Sequence, residues 1–383
     1  MHYYRYRPSG ELAIKEFMYD EIYFSSATEC NDPFDGKAFV TFEADNERWR
    51  RLLESAWSNF KHADKPKWEE QLSAHLARLS PMTFDAALRF DYFKALLSFS
   101  SPPIALALGE QVKSFLRLYK PKDTNFISFS RECTDTLMWS HYASMHQGHC
   151  LIFKDIDGYL HQCPRRKKNG ISRKTKAGIA PSMSSAFQDS FPFQDVSYSS
   201  DVTPNNAFSY FPQYVFGREL EEKEKIELIT WQTQQCLVKH NCWSYEQESR
   251  LTLSSPPAWL FGENIEYSAQ ERLFYYMPNQ LVGVILGARM NVQQRMRFHE
   301  IIEARMQRVA SDPGDNSPIF DFVLFQAGLP DDRREVVIEP VEIFSITKAI
   351  QKTDNDFQKH YDEWKEGWAI VIEGTSGSKK KFL

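Results

Sequence analysis

The stretch "WSYEQESRLTL", Trp243 to Leu253, sets Glu246 and Glu248 two residues apart and Arg250 two further on. Side chains on a strand alternate between its faces, so Glu246, Glu248, Arg250 and Thr252 are expected on one face. Tyr245, Gln247, Ser249, Leu251 and Leu253 are expected on the other. Carboxylates so placed lie about 7 Å apart and repel. Either the face is plain solvent and Arg250 neutralises the pair, or the pair is held for its chemistry. Arg250 close by would also damp the basicity of both acids. Two other stretches carry reactive residue types: "NDPFD" supplies Asp32 and Asp35, and "WSHYA" supplies His141 and Tyr142. Asp32, Asp35, Glu246, Glu248 and His141 together would suit Mg²⁺, although no compact acidic motif stands beside a lysine. In "CLVKHNC", Cys236, His240 and Cys242 form at most half a zinc site. A second half with ligand spacing is missing, so no metal is expected there.

The elements that must position these residues are many and short. "HYYRYR" reads as a strand, "SGELAIKEFMYD" as a short helix capped at Ser9, and "EIYFSS" as a second strand. "ECNDPFDG" is a shaped polar loop in which Asp32 and Asp35 can cap backbone amides. Residues 46–120 carry apolar positions at three- and four-residue spacing and form a helical insertion. "FISFS" is a strand. "TDTLMWSHYASMH" is a helix capped by Thr134 or Asp135 and stopped by Gly148, and "HCLIF" follows as the next strand. Residues 163–185, with the run Arg165 to Lys176, are basic, rich in serine and glycine, and expected to be a mobile loop. "LVGVILGARM" is a buried strand. His299 falls on the apolar stripe of the helix after it and is expected to be a satisfied core histidine. "IFDFVLFQAG" and "REVVIEPVEI" close the sheet. Residues 1–350 are therefore expected to form one elaborated α+β domain. Residues 351–383 form an extension whose end, "GTSGSKKKFL", is disordered.

The whole-chain numbers narrow the classes. The 383 residues are 42% hydrophobic and 14% aromatic, enough for a large core, and the formal net charge of -5 gives no general case for polyanion or membrane binding. No apolar run is long enough to cross a membrane, and the amino terminus has no signal-peptide core. Six dispersed cysteines without a C-x-x-C pair suit free thiols in a reducing cytoplasm.

Taken in order, "YRYR", "IYFSSATECNDPFDG", "ISFSRECTDTLMWSHYASMHQGHCLIF", "WSYEQESRL" and "LVGVILGARM" resemble the bacterial family catalogued as domain of unknown function 2971, over roughly Tyr3 to Glu342. More distantly, the order of features resembles the ADP-ribosyltransferase superfamily. Its arginine–serine–glutamate class carries an arginine on the first strand, an aromatic-Ser-x-Ser strand in the middle and a late Glu-x-Glu. The resemblance implies a split, mostly antiparallel sheet with a helical insertion, and NAD⁺ as the substrate. It assigns Arg5 to the pyrophosphate or ribose, and Ser128 and Ser130 to bracing the cofactor pocket. Glu248 would stabilise the oxocarbenium-like ribose, and Glu246 would act as general base toward the acceptor. His141 and Tyr142 would stack on or hydrogen-bond the cofactor. Phe129 departs from the pattern, because that position is usually small. The implied role is a transferase or NAD glycohydrolase, a toxin or phage-defence effector with a protein or nucleic-acid acceptor. Two other readings stay open: a metal-dependent nuclease, and a non-catalytic module that senses a nucleotide.

Overall fold

The computed structural model describes residues 1–58, 68–173, 183–255, 266–311 and 321–368. Nine strands form its main sheet: β1 (His2–Arg7), β2 (Asn125–Ser130), β3 (His149–Lys154), β4 (Gln194–Asp195), β5 (Glu248–Leu253), β6 (Leu281–Leu286), β7 (Phe322–Gly328), β8 (Val337–Phe344) and β9 (Ala349–Gln351). Across the sheet they lie in the order β4-β5-β2-β1-β3-β6-β7-β8-β9. Neighbours run antiparallel, except that β6 and β7 are parallel. That parallel step needs a crossover, and the helix Val292–Ala310 lies between the two strands in sequence. All six residues of β6 are buried, as a strand with both faces covered requires. On one face Phe17, Phe298 and Ile302 join Tyr3, Ile127, Leu151 and Leu251 in a core. On the other, Trp139, Tyr361 and Trp364 pack with Tyr4, Cys150, Ile152 and Ile285.

A second core belongs to the helices Asn46–Trp57, Trp68–Leu79, Phe84–Arg89, Tyr92–Leu97 and Pro102–Tyr119. Trp49, Leu53, Leu76, Leu108, Val112 and Leu116 fill it, and Phe208 and Phe211 close it from far along the chain. Asp45 caps the first of these helices by accepting from the Arg48 amide, and Pro102 opens the last, where its missing N–H costs nothing.

Several expectations change. The sheet is mostly antiparallel as expected, and its ladder runs through nine strands, with β1 and β2 joined at one register pair. The helix over "TDTLMWSHYASMH" spans only Thr136–Tyr142. Ser144, Met145 and His146 all adopt left-handed backbone, which ends α-helical winding well before Gly148. In the basic segment, Gly170–Arg173 pairs antiparallel with Met183–Ala186. Arg166 binds Asp20, and Lys167 binds Asp189. Arg166 and Lys167 are thus paired within the protein, and residues 174–182 lie outside the described residues. The boundary at 350 falls inside β9, and the helix Phe357–Trp368 packs onto the sheet. "GTSGSKKKFL" lies outside the described residues. His299 is half-exposed, with its Nε2 3.0 Å from Glu342 Oε1.

His149, on β3, is fully buried against Phe298, and neither ring nitrogen finds a hydrogen-bond partner among the described residues. Burial, with Arg7 nearby, pushes its pKa down to about 3. The unfolded chain binds a proton here near pH 6.5 and the folded one does not, so stability is full above pH 6.5 and falls as the pH drops toward 3. Urea unfolding should therefore show a midpoint that falls between pH 7 and pH 5. The fall should be shallower in His149→Leu. An equal fall in both proteins would remove His149 as a cause.

Candidate functional site

The site lies where the sheet is most weakly joined. β1 pairs with β3 along its whole length, but meets β2 at one register pair, Tyr4 opposite Ser130. Beyond that pair the strands part. The Arg5 guanidinium fills the gap, donating from Nη1 to the Ser128 carbonyl at 3.0 Å. Its other contacts reach Glu16 at 3.4 Å, and Arg7 binds the same carboxylate at 2.8 Å. A cavity of about 400 Å³ opens over this seam, within the range of small-molecule sites. The seven residues that the ADP-ribosyltransferase resemblance assigns all line it: Arg5, Ser128, Ser130, His141, Tyr142, Glu246 and Glu248. Of the further metal candidates, Asp35 lines it and Asp32 does not.

The acidic pair reaches the cavity by a route that strand alternation does not describe. Asn241–Glu246 is a 3₁₀-helix whose start is capped by His240, and Gln247 is left-handed at φ 43°. The strand begins only at Glu248. Glu246 and Glu248 therefore do not share a strand face. Gln247 turns the chain so that both carboxylates meet at a third group, the Lys239 ammonium, at 2.6 and 3.3 Å. Neighbouring groups pin the turn. The Ser130 hydroxyl donates to the Glu246 carbonyl at 2.7 Å, and the Arg131 amide donates to the Gln247 carbonyl at 3.0 Å. Ser130 is thus committed to backbone, whereas Ser128 is the exposed position of its strand.

Behind the pair lies a buried charge network. Arg250 is fully buried and binds Glu248 through Nε at 2.7 Å and Nη2 at 2.8 Å. It also reaches Asp35 at 2.8 Å and donates to the Cys236 carbonyl. Its guanidinium sits 4.0 Å from the Phe126 ring centroid. Asp35 closes the ring with Lys239 at 3.4 Å. On the cavity side, the Tyr142 hydroxyl donates to Glu246 Oε1 at 2.6 Å and accepts from Asn31 Nδ2 at 3.0 Å. Exposed His141 holds the Tyr245 hydroxyl through Nδ1 at 3.0 Å.

These contacts drive the two acids in opposite directions. Burial alone would raise the Glu248 carboxyl, but Arg250, Lys239 and a hydrogen bond from the Ser128 side chain outweigh it and hold the pKa at about 2. For Glu246, burial is the largest influence and raises the pKa. Lys239 opposes the rise, and the neighbouring Glu248 charge adds to it. The two carboxyls are thus pushed apart in proton affinity. Lys239 keeps its charge despite burial, because Glu248, Asp35 and Glu246 surround it.

Two members of the network were not legible as such. Lys239 appeared only within the cysteine–histidine stretch, and Asp35 as a backbone cap or metal ligand. In the structure Asp32 does cap, accepting from the Phe34 amide at 2.9 Å, while Asp35 pairs with Lys239 and Arg250. His240 Nδ1 lies 3.1 Å from Cys242 Sγ, and no group of metal-ligating side chains that could hold a metal ion occurs among the described residues.

Residues 138–251 match the family described as "Protein of unknown function (DUF2971)". This supports the family resemblance read from the sequence. The matched stretch contains His141, Tyr142, Lys239, Glu246, Glu248 and Arg250, while Arg5, Asp35 and Ser128 lie before it. No curated protein and no solved structure matches the chain. No helix among the described residues is long and apolar enough to cross a membrane.

Proposed function

We propose that this cavity takes NAD⁺ and breaks its nicotinamide–ribose bond, passing ADP-ribose to water or to a macromolecular acceptor. One observation carries the reading. Residues from four separate stretches of the chain line a single hollow, and the proton affinities of its two carboxyls are pushed in opposite directions. In the reaction the C1′–N bond breaks and its electron pair leaves with nicotinamide. The positive charge that builds on the ribose faces the fixed Glu248 carboxylate. The acceptor's oxygen or nitrogen then bonds to C1′ and passes its proton to Glu246, whose raised pKa makes it the better base. Tyr142 orients Glu246. Arg5, anchored by Glu16 and the Ser128 carbonyl, presents its remaining N–H groups as donors to the pyrophosphate or ribose.

The test is incubation with NAD⁺ in the presence of a chelator, followed by detection of free nicotinamide. The wild type should release it, and Glu248→Gln should release at least about a hundredfold less. Undiminished release by Glu248→Gln would remove the assigned role. A second reading, a metal-dependent nuclease, is disfavoured because Lys239 already holds Asp35, Glu246 and Glu248. A divalent ion would have to displace Lys239 from these oxygens. On that reading the activity cleaves nucleic acid and vanishes with the chelator.

A further inference from the structure

A second cavity, of about 450 Å³, backs onto the first and shares Asp35 and Lys239 with it as a common wall. We infer that it is a binding site for an amino-bearing heteroaromatic ring, a nucleobase or nucleoside without phosphates. The inference does not depend on the NAD⁺ reading.

The lining argues for this ligand class. Phe34, Phe39, Val202 and Val238 supply apolar surface. Phe34 is 65% exposed and Val202 51%, so both present apolar surface at the lip of the hollow. An exposed phenyl ring is a stacking platform for a planar base. Polar groups in the lining are mostly acceptors or hydroxyls. Asp201 is exposed, and Asp32 commits Oδ1 to the Phe34 amide. Ser199 accepts from the Asp201 amide at 3.0 Å, and Ser200 accepts from Asn241 Nδ2 at 3.1 Å. Lys239 is the one lysine or arginine in the lining, and three carboxylates already hold it. Lys37 lies outside the lining, 5.5 Å from the Phe34 ring centroid. A cavity lined by Asp32, Asp35 and Asp201 against one fully paired lysine repels phosphate. It accepts hydrogen bonds from an exocyclic amino group. An apolar ring with amino donors and no charge meets both conditions.

The probe is adenosine, titrated calorimetrically into the full chain, beside purine riboside, which lacks the amino group, and AMP. Adenosine is expected to bind one to one. Phe34→Ala and Asp201→Asn are each expected to weaken it at least tenfold. Purine riboside should bind at least tenfold more weakly than adenosine, and AMP no more tightly. Phe34 and Asp201 are exposed, so both variants should keep the wild-type thermal midpoint. The inference is overturned if adenosine gives no binding heat, if both variants bind it as the wild type does, or if AMP binds more tightly than adenosine. Nicotinamide release from NAD⁺ is read separately. Adenosine binding without release would overturn the proposed reaction alone, and release without adenosine binding would overturn this inference alone.

Discussion

Replacing Arg250 with methionine should destabilise the protein by about 3–5 kcal/mol, the usual loss when one partner of a buried ion pair is removed. The side chain has no exposure, and it binds Glu248, Asp35 and the Cys236 carbonyl at once. Methionine keeps an apolar stem against Phe126 and so isolates the loss of charge from the loss of volume. Asp35 and Glu248 would then share only Lys239. The pH dependence adds a check. Glu248 is held at about 2 in the folded protein, so its contribution is complete above the unfolded value near 4.3 and is lost as the pH falls toward 2. In Arg250→Met that depression shrinks, and the stability gap between the two proteins should narrow below about pH 4. Urea midpoints at pH 7 and pH 3.5 measure both effects. A loss of under about 1 kcal/mol at pH 7 would mean that the pair behaves as a solvated surface bridge.

Glu246→Gln should cut nicotinamide release by about a hundred- to ten-thousandfold, the span of general acid–base contributions, while leaving the protein folded. Glutamine retains an oxygen for the Tyr142 hydroxyl but takes up no proton. The wild-type rate should rise with pH through the raised pKa of Glu246, because the carboxylate is the working form. The variant should lack that limb. Tyr142→Phe should move the midpoint of the limb rather than abolish it, since Tyr142 reaches the proton acceptor through its 2.6 Å hydrogen bond to Glu246 and carries no proton in the step. A Glu246→Gln rate within about threefold of wild type, with the pH limb intact, would assign proton transfer to another group.

The comparison of sequence with structure separates local from tertiary information. Aromatic, β-prone composition marked "HYYRYR" as a strand, "FISFS" reads as another, and both are strands at the cavity. Three- and four-residue spacing marked the helices between 46 and 120, and a continuous apolar run marked "LVGVIL". Each signal is local, because the side chains that report it belong to the element itself. Alternation failed over "WSYEQESR", where Gln247 takes up left-handed backbone that neither its type nor its neighbours announce. The acids still meet, but at Lys239, which lies in its own short strand Val238–Lys239. The Asp35 contact with Arg250 spans 215 positions. A charge partner so distant leaves no periodic trace, so the buried network could be read only from the folded chain.

The claim on which this account turns is that Arg5, Ser128, Glu246 and Glu248 face one bound dinucleotide. A crystal structure with a carbocyclic NAD⁺ analogue, whose nicotinamide bond does not break, measures this directly. The account predicts the analogue in the seam between β1 and β2, with C1′ of its cyclopentane ring within about 4 Å of a Glu246 or Glu248 carboxylate oxygen. Density for the analogue elsewhere on the molecule, or a cavity left empty at saturating analogue, would contradict it.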